Sequence, residues 1–133
     1  MRLVGIVICL AALTACSSDS PSAPSGPIDV QIVLAPGQAA PVPSTSIGIR
    51  FQGVPGDSRC PGDATCIQAG DAIVRVEALG PSGAAEFELH TATLQPAHFQ
   101  DFTITLAALS PYPFASLPPI APVDYRATFR ITR

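Results

Sequence analysis

The sequence predicts an all-β protein, an antiparallel β-sandwich of immunoglobulin-like size. Three observations carry this. From Ile28 onward apolar residues recur with a period of two, not 3.6. Fifteen prolines and ten glycines in 133 residues leave little room for helix. Each apolar stretch alternates with polar residues, as strands with one solvated face do, whereas strands buried on both faces would not.

The strands follow in order. Ile28, Val30, Ile32 and Leu34 share one face of a first strand, closed by Pro36-Gly37. Ile47, Ile49 and Phe51 alternate with Gly48, Arg50 and Gln52 in a second. Ala72, Val74, Val76 and Ala78 form one face of a third, with Arg75 and Glu77 on the other. Gly80-Pro81-Ser82-Gly83 is short enough to turn this strand into a hairpin with Ala85, Phe87 and Leu89. Phe102, Ile104 and Leu106 mark a fifth strand, and Tyr125, Ala127, Phe129 and Ile131 the last. Six such strands cover their apolar faces by stacking two sheets. A single helical turn is expected near Leu94 to Phe99. Five prolines between Leu109 and Pro122 make that segment an irregular crossover. Tyr125, opening the last strand after it, resembles the tyrosine corner of such sandwiches.

The first residues read as an address. Met1-Arg2 and the apolar run Leu3 to Leu13 fit a secretory signal, too short to span a bilayer as a helix. Leu13-Thr14-Ala15-Cys16 then resembles the lipobox of bacterial lipoproteins. The resemblance implies cleavage before Cys16, a diacylglyceryl thioether on its sulfur and acylation of the new N-terminus, palmitate included. Such chains anchor a protein durably, at about 0.8 kcal/mol per buried CH₂. The alternative is an ordinary signal peptide with an incidental cysteine. Ser17 follows Cys16 instead of an aspartate, so in a Gram-negative cell the outer membrane is the expected destination. Ser17 to Pro27 is a Ser/Pro tether, reaching about 35 Å when extended. The expected division is therefore 1–15 signal peptide, 16–27 lipidated cysteine and tether, and 28–133 sandwich.

Charge excludes several partners. Seven arginines and no lysine stand against ten acidic residues, a net −3. Cleavage of the leader removes Arg2 and leaves −4. A mildly acidic protein has no electrostatic footprint for nucleic acid or anionic lipid. The expected partners are the membrane, through the lipid on Cys16, and an envelope protein; the chain itself is expected to be a monomer.

Between the second and third strands lies Asp57 to Gly70. In an exported chain Cys60 and Cys66 default to a disulfide, since Cys9 leaves with the leader and Cys16 carries lipid. A ring of about seven residues stabilises by roughly 2.4 kcal/mol in the loop-entropy model. C-x-x-C spacing, which would favour redox chemistry, is absent. Asp57 suits an Asx-type turn, and the Arg59 fork can bridge Asp57, Asp63 or Asp71. Asp57, Arg59 and Asp71 are thus the candidate loop-structuring residues.

Asp57-Ser58-Arg59-Cys60-Pro61, followed by Cys66-Ile67-Gln68-Ala69-Gly70, resembles a D-S-R-C-P…C-[IV]-W-A-G signature of uncharacterised bacterial envelope lipoproteins. The resemblance implies an exported β-domain and carries no activity with it. Gln68 stands where that signature has tryptophan.

No catalytic or cofactor motif emerges. Asp57, Asp63 and Asp71 offer oxygen ligands for calcium, but no D-x-[DN]-x-[DN]-G spacing holds them. His90 and His98 lack a metal-ligand spacing, and Ser82 belongs to a turn. Glu86 and Glu88 share a solvated face opposite an arginine. The expectation is a non-catalytic, lipid-anchored binding or structural module. The alternatives are an inhibitor or ligand-capture domain using the 110–122 loop, or a calcium-binding module. Tyr112, Phe114 and Leu117 in that loop would mark a partner site if exposed. They are expected instead to fold back and cap the open end of the sandwich.

Overall fold

The computed structural model describes residues 26–133. The expected signal segment, Cys16 and the part of the expected tether up to Ser25 lie outside the described residues.

Two four-stranded antiparallel sheets make the sandwich. The strands are β1 (Asp29–Leu34), β2 (Ala39–Pro41), β3 (Gly48–Asp57), β4 (Ala72–Gly80), β5 (Gly83–His90), β6 (Ala97–Phe99), β7 (Phe102–Ser110) and β8 (Arg126–Thr132). One sheet runs β1-β8-β7-β6 and the other β2-β3-β4-β5. All six expected strands are present. The β4–β5 hairpin turns at Pro81-Ser82, with Gly80 paired to Gly83 as its glycine pattern predicts.

The period-two faces meet in the middle. Ile49, Phe51, Val74, Val76 and Ala78 from one sheet are fully buried against Ile104, Ala127, Phe129 and Ile131 from the other. Phe51 and Phe129 join the layers edge to face, with ring centroids 5.9 Å apart. Each large side chain so buried contributes about 1.5–3 kcal/mol, which is why alternation this regular fixes the register.

Two strands and one turn differ from expectation. β2 and β6 are three residues each, Ala-Ala-Pro and Ala-His-Phe, too short to show a period. β6 replaces the helical turn expected near Leu94 to Phe99. Ala97 and Phe99 are buried while His98 is exposed, a strand pattern, and Ala97 pairs with Ile104 of β7. Pro96, just ahead, drives Gln95 out of the helical region towards extended backbone.

Register also sorts the loops. Asp29 pairs with Thr132 and Leu34 with Ala127, so the chain enters where β8 ends. Ile28 and Arg133 exchange backbone bonds there, at 3.0 and 3.3 Å. The Pro81-Ser82 and Gln100-Asp101 turns lie at the same end, joined by Gln100 Nε2 donating to Ser82 Oγ at 2.6 Å. The cysteine loop, residues 91–96 and the proline-rich crossover gather at the opposite end. The crossover closes with one 3-10 turn, Pro122–Asp124.

Candidate functional site

The opposite end of the sandwich is built around the cysteine loop. Its stem continues β3 and β4 by two bonds: Ser58 N donates to Asp71 O and Cys60 N to Ala69 O, each at 2.7 Å. Ser58 Oγ adds a bond to Asp71 O at 3.0 Å and accepts one from Asp71 N at 3.1 Å. The stem closes tightly at Gly70, whose φ is +71°; a Cβ there would lie 1.7 Å from Ser58 O. Only glycine fits. Cys60 and Cys66 are disulfide-bonded, their Cα atoms 5.9 Å apart.

Arg59 is the keystone. It is 8% exposed, the one charged residue buried among those described. Its Nε donates to Asp57 Oδ1 at 2.9 Å and its Nη2 to Oδ2 at 2.7 Å, a bidentate fork. Nη1 donates to the Leu109 carbonyl and Nη2 to the Pro111 carbonyl, both at 3.0 Å. The Tyr112 ring lies over the guanidinium at 5.1 Å. Burial opposes ionisation of Asp57, but the Arg59 bonds prevail and hold its carboxyl below the usual range. Tyr125 donates its hydroxyl to Asp57 Oδ2 at 2.9 Å. Burial, reinforced by that bond, pushes its phenol up to about 12. The tyrosine-corner expectation is corrected here, because the hydroxyl meets a carboxylate of the cysteine loop rather than a nearby backbone group.

Of the three acids Arg59 could bridge, it takes Asp57. Asp63 instead accepts the Ala115 and Ser116 amides, at 2.5 and 2.9 Å. The Ser116 hydroxyl and those amides lower it to about 2. Asp71 turns to the segment after β5: His90 Nδ1 lies 2.5 Å from Oδ2, while Thr91 Oγ1 and Ala92 N donate to Oδ1 at 3.1 and 3.0 Å. Burial raises the Asp71 carboxyl, but these donors, His90 foremost, bring it below its ordinary value. Asp71 therefore structures the loop through its main chain and ties it to β5 through its side chain. Among the described residues, no group of three His, Cys, Asp or Glu could hold a metal ion.

The crossover is stitched onto this loop. Gly62 N donates to Pro113 O at 2.9 Å, and a Cβ on Gly62 would come within 2.9 Å of Phe114 Cε1, so the ring rests on bare backbone. Tyr112 and Phe114 pack edge to face at 6.4 Å. They do not cap the sandwich as expected. Tyr112, Phe114 and Leu117 remain 50%, 43% and 61% exposed, because the buried end is already sealed by Arg59 and Tyr125. Ile67, Leu94 and Val123 are exposed at the same end. A shallow recess of about 300 Å³ runs between Arg59, Thr91, Leu94, Leu109 and Tyr112.

Arg75 pairs with Glu88 at 3.0 Å and Gln52 with Glu86 at 2.6 Å, as expected of a solvated face. Missed in the sequence were the attachments of Asp63, to the Ala115 and Ser116 amides, and of Asp71, to His90, Thr91 and the Ala92 amide, together with the Tyr125–Asp57 bond, all between residues distant in the chain. Compared with protein-family models, curated proteins and solved structures, the chain matches none.

Proposed function

We propose that the chain is a non-catalytic, lipid-anchored envelope lipoprotein whose domain serves as a binding or structural accessory module, of the kind its Asp57–Gly70 signature resembles. Residues 1–15 are its signal peptide and Cys16 its lipidated, palmitate-bearing residue. The tether to Pro27 holds domain 28–133 off the membrane, the outer membrane in a Gram-negative cell.

One observation carries this reading. Two loops are braced into a single surface at the end opposite the chain's entry, and that surface keeps Tyr112, Phe114, Leu117 and Ile67 exposed. Three of its carboxylates are engaged with a neighbouring side chain or with backbone, as a scaffold requires: Asp57 with Arg59, Asp63 with two amides, Asp71 with His90. The exposure of Tyr112, Phe114 and Leu117 also favours the second reading, an inhibitor or ligand-capture domain working through residues 110–122. A calcium module draws no support from three carboxylates that point to three different partners.

Mass spectrometry of the membrane fraction tests the anchor. Acylated Cys16 in membranes, and release of a Cys16→Ser variant into the soluble fraction, is the expected result. Unmodified wild-type protein in the soluble fraction would sink the reading.

A further inference from the structure

We propose that Pro118–Ala121, between the turn that ends at Leu117 and the 3-10 turn that Pro122 opens, is a preformed polyproline II ridge that docks into an aromatic-lined groove of a partner protein. The run is Leu117-Pro118-Pro119-Ile120-Ala121-Pro122. Proline rings fix φ near −65° at three of its positions, and Leu117, Pro118 and Ala121 each precede a proline, which drives them towards the extended region. Ala121 stands at φ −69°, ψ 143°.

A polyproline II helix repeats every three residues and so has three edges. Ile120 is half-buried and packs against the core, which turns its side of the ridge inward; Leu117, 61% exposed, belongs to the preceding turn and not to the ridge. Pro118 with Ala121 form a second edge and Pro119 the third, which Pro122 continues where the 3-10 turn begins; all four residues are exposed. Paired outward edges with P-x-x-P spacing are what aromatic grooves accept. The ends are already pinned: Leu117 N donates to Phe114 O at 3.2 Å and Asp124 N to Ala121 O at 2.9 Å. Asp63 holds the preceding amides of Ala115 and Ser116. Little ordering cost therefore remains for binding.

A protein fits this ridge better than a lipid surface. The chain enters the domain at the opposite end, so the tether that leads to Cys16 joins the domain away from the ridge; this step rests on the lipoprotein reading above. Independently, residues 57–71 and 111–126 carry Asp57, Asp63, Asp71 and Asp124 against Arg59 and Arg126, no attraction for anionic lipid.

The test places the photo-crosslinker p-benzoylphenylalanine at Ala121 of the full chain, in the cell that makes it, with Ser82 at the opposite end as control. The expected result is one discrete protein adduct from Ala121 and none from Ser82, mapping in the partner to a segment rich in Trp, Tyr or Phe. Separate Pro118→Ala and Pro119→Ala variants should weaken that adduct severalfold while melting as the parent does. A lipid adduct, an adduct to a second copy or to the chain's own N-terminal segment, equal adducts from both positions, no adduct, or one indifferent to both prolines overturns the proposal. Fractionation of the same cells reads the anchor separately. Soluble protein with the Ala121 adduct defeats only the lipoprotein reading, and membrane-bound protein without it defeats only the ridge.

Discussion

The hydroxyl of Tyr125 donates to Asp57 Oδ2 at 2.9 Å, on the carboxylate that already grips Arg59 from 2.7 Å. The residue that opens the way into the last strand thereby closes over the residue that ends β3. Arg59 extends the connection to Leu109 and Pro111. One buried ion pair thus binds three loop stems, and its removal is expected to be felt in all of them.

Asp57→Ala should destabilise the domain by about 3 kcal/mol, because it leaves a guanidinium buried without its counter-charge. Tyr125→Phe should cost about 1 kcal/mol, the net worth of one hydrogen bond. Urea unfolding read by circular dichroism gives both. Equal small losses would mean that the pair is solvated and not a keystone.

Glycine substitutions separate strain from collision. Gly37 and Gly70 both have positive φ, at +81° and +71°, but a Cβ at Gly37 meets nothing within 4 Å, whereas at Gly70 it meets Ser58 O. Gly37→Ala should cost about 1 kcal/mol and Gly70→Ala well above it, since the backbone itself must move. Similar melting temperatures for the two variants would contradict the close stem.

Acid should weaken the composite end in a defined direction. Asp63 is lowered from 3.8 to about 2 by the Ser116 hydroxyl and the Ala115 and Ser116 amides. A folded-state value below the unfolded one gives stability that is present above pH ~4 and lost as pH falls towards ~2. Asp57 and Asp71 are lowered as well and act with the same sign. Asp63→Asn should be less stable than wild type near neutrality and show a shallower loss through this window. An unchanged acid limb in that variant would show that Asp63 does not hold the crossover.

Reduction of Cys60–Cys66 should cost up to about 2.4 kcal/mol and leave the domain folded. The loop keeps its other fastenings at Ser58, Arg59 and Asp63. In a Cys16→Ser background the intact mass should be lighter than the reduced form by two hydrogens. Global unfolding on mild reduction would mean that the staple, not the Arg59 cluster, carries this end. Calcium and EDTA should both leave the melting temperature unchanged; a rise with calcium would revive the carboxylates as ligands.

What could be read from the sequence was what repeats or lies close in the chain. Val74, Val76 and Ala78, or Ala127, Phe129 and Ile131, announce a buried strand face by alternation alone. Asp57 and Arg59 are two residues apart, so their pairing is local chemistry. By contrast, Tyr125 is 68 residues from Asp57, and Ala115 is 52 from Asp63. Nothing in an amide's identity advertises that a carboxylate will seek it. The short strands β2 and β6 escaped for a different reason: three residues hold no measurable period. Exposure at Tyr112, Phe114 and Leu117 was unreadable because an apolar residue in a proline-rich loop looks the same whether it caps a core or faces solvent.

Native-state hydrogen exchange reads whether the cysteine loop and the crossover form one braced unit. The Cys60, Gly62, Ala115 and Ser116 amides should be protected in the wild type, and Asp63→Asn should expose Ala115, Ser116 and Gly62 together while leaving Val76 and Phe129 in the core unchanged. Free exchange of Gly62, Ala115 and Ser116 in the wild type would contradict it.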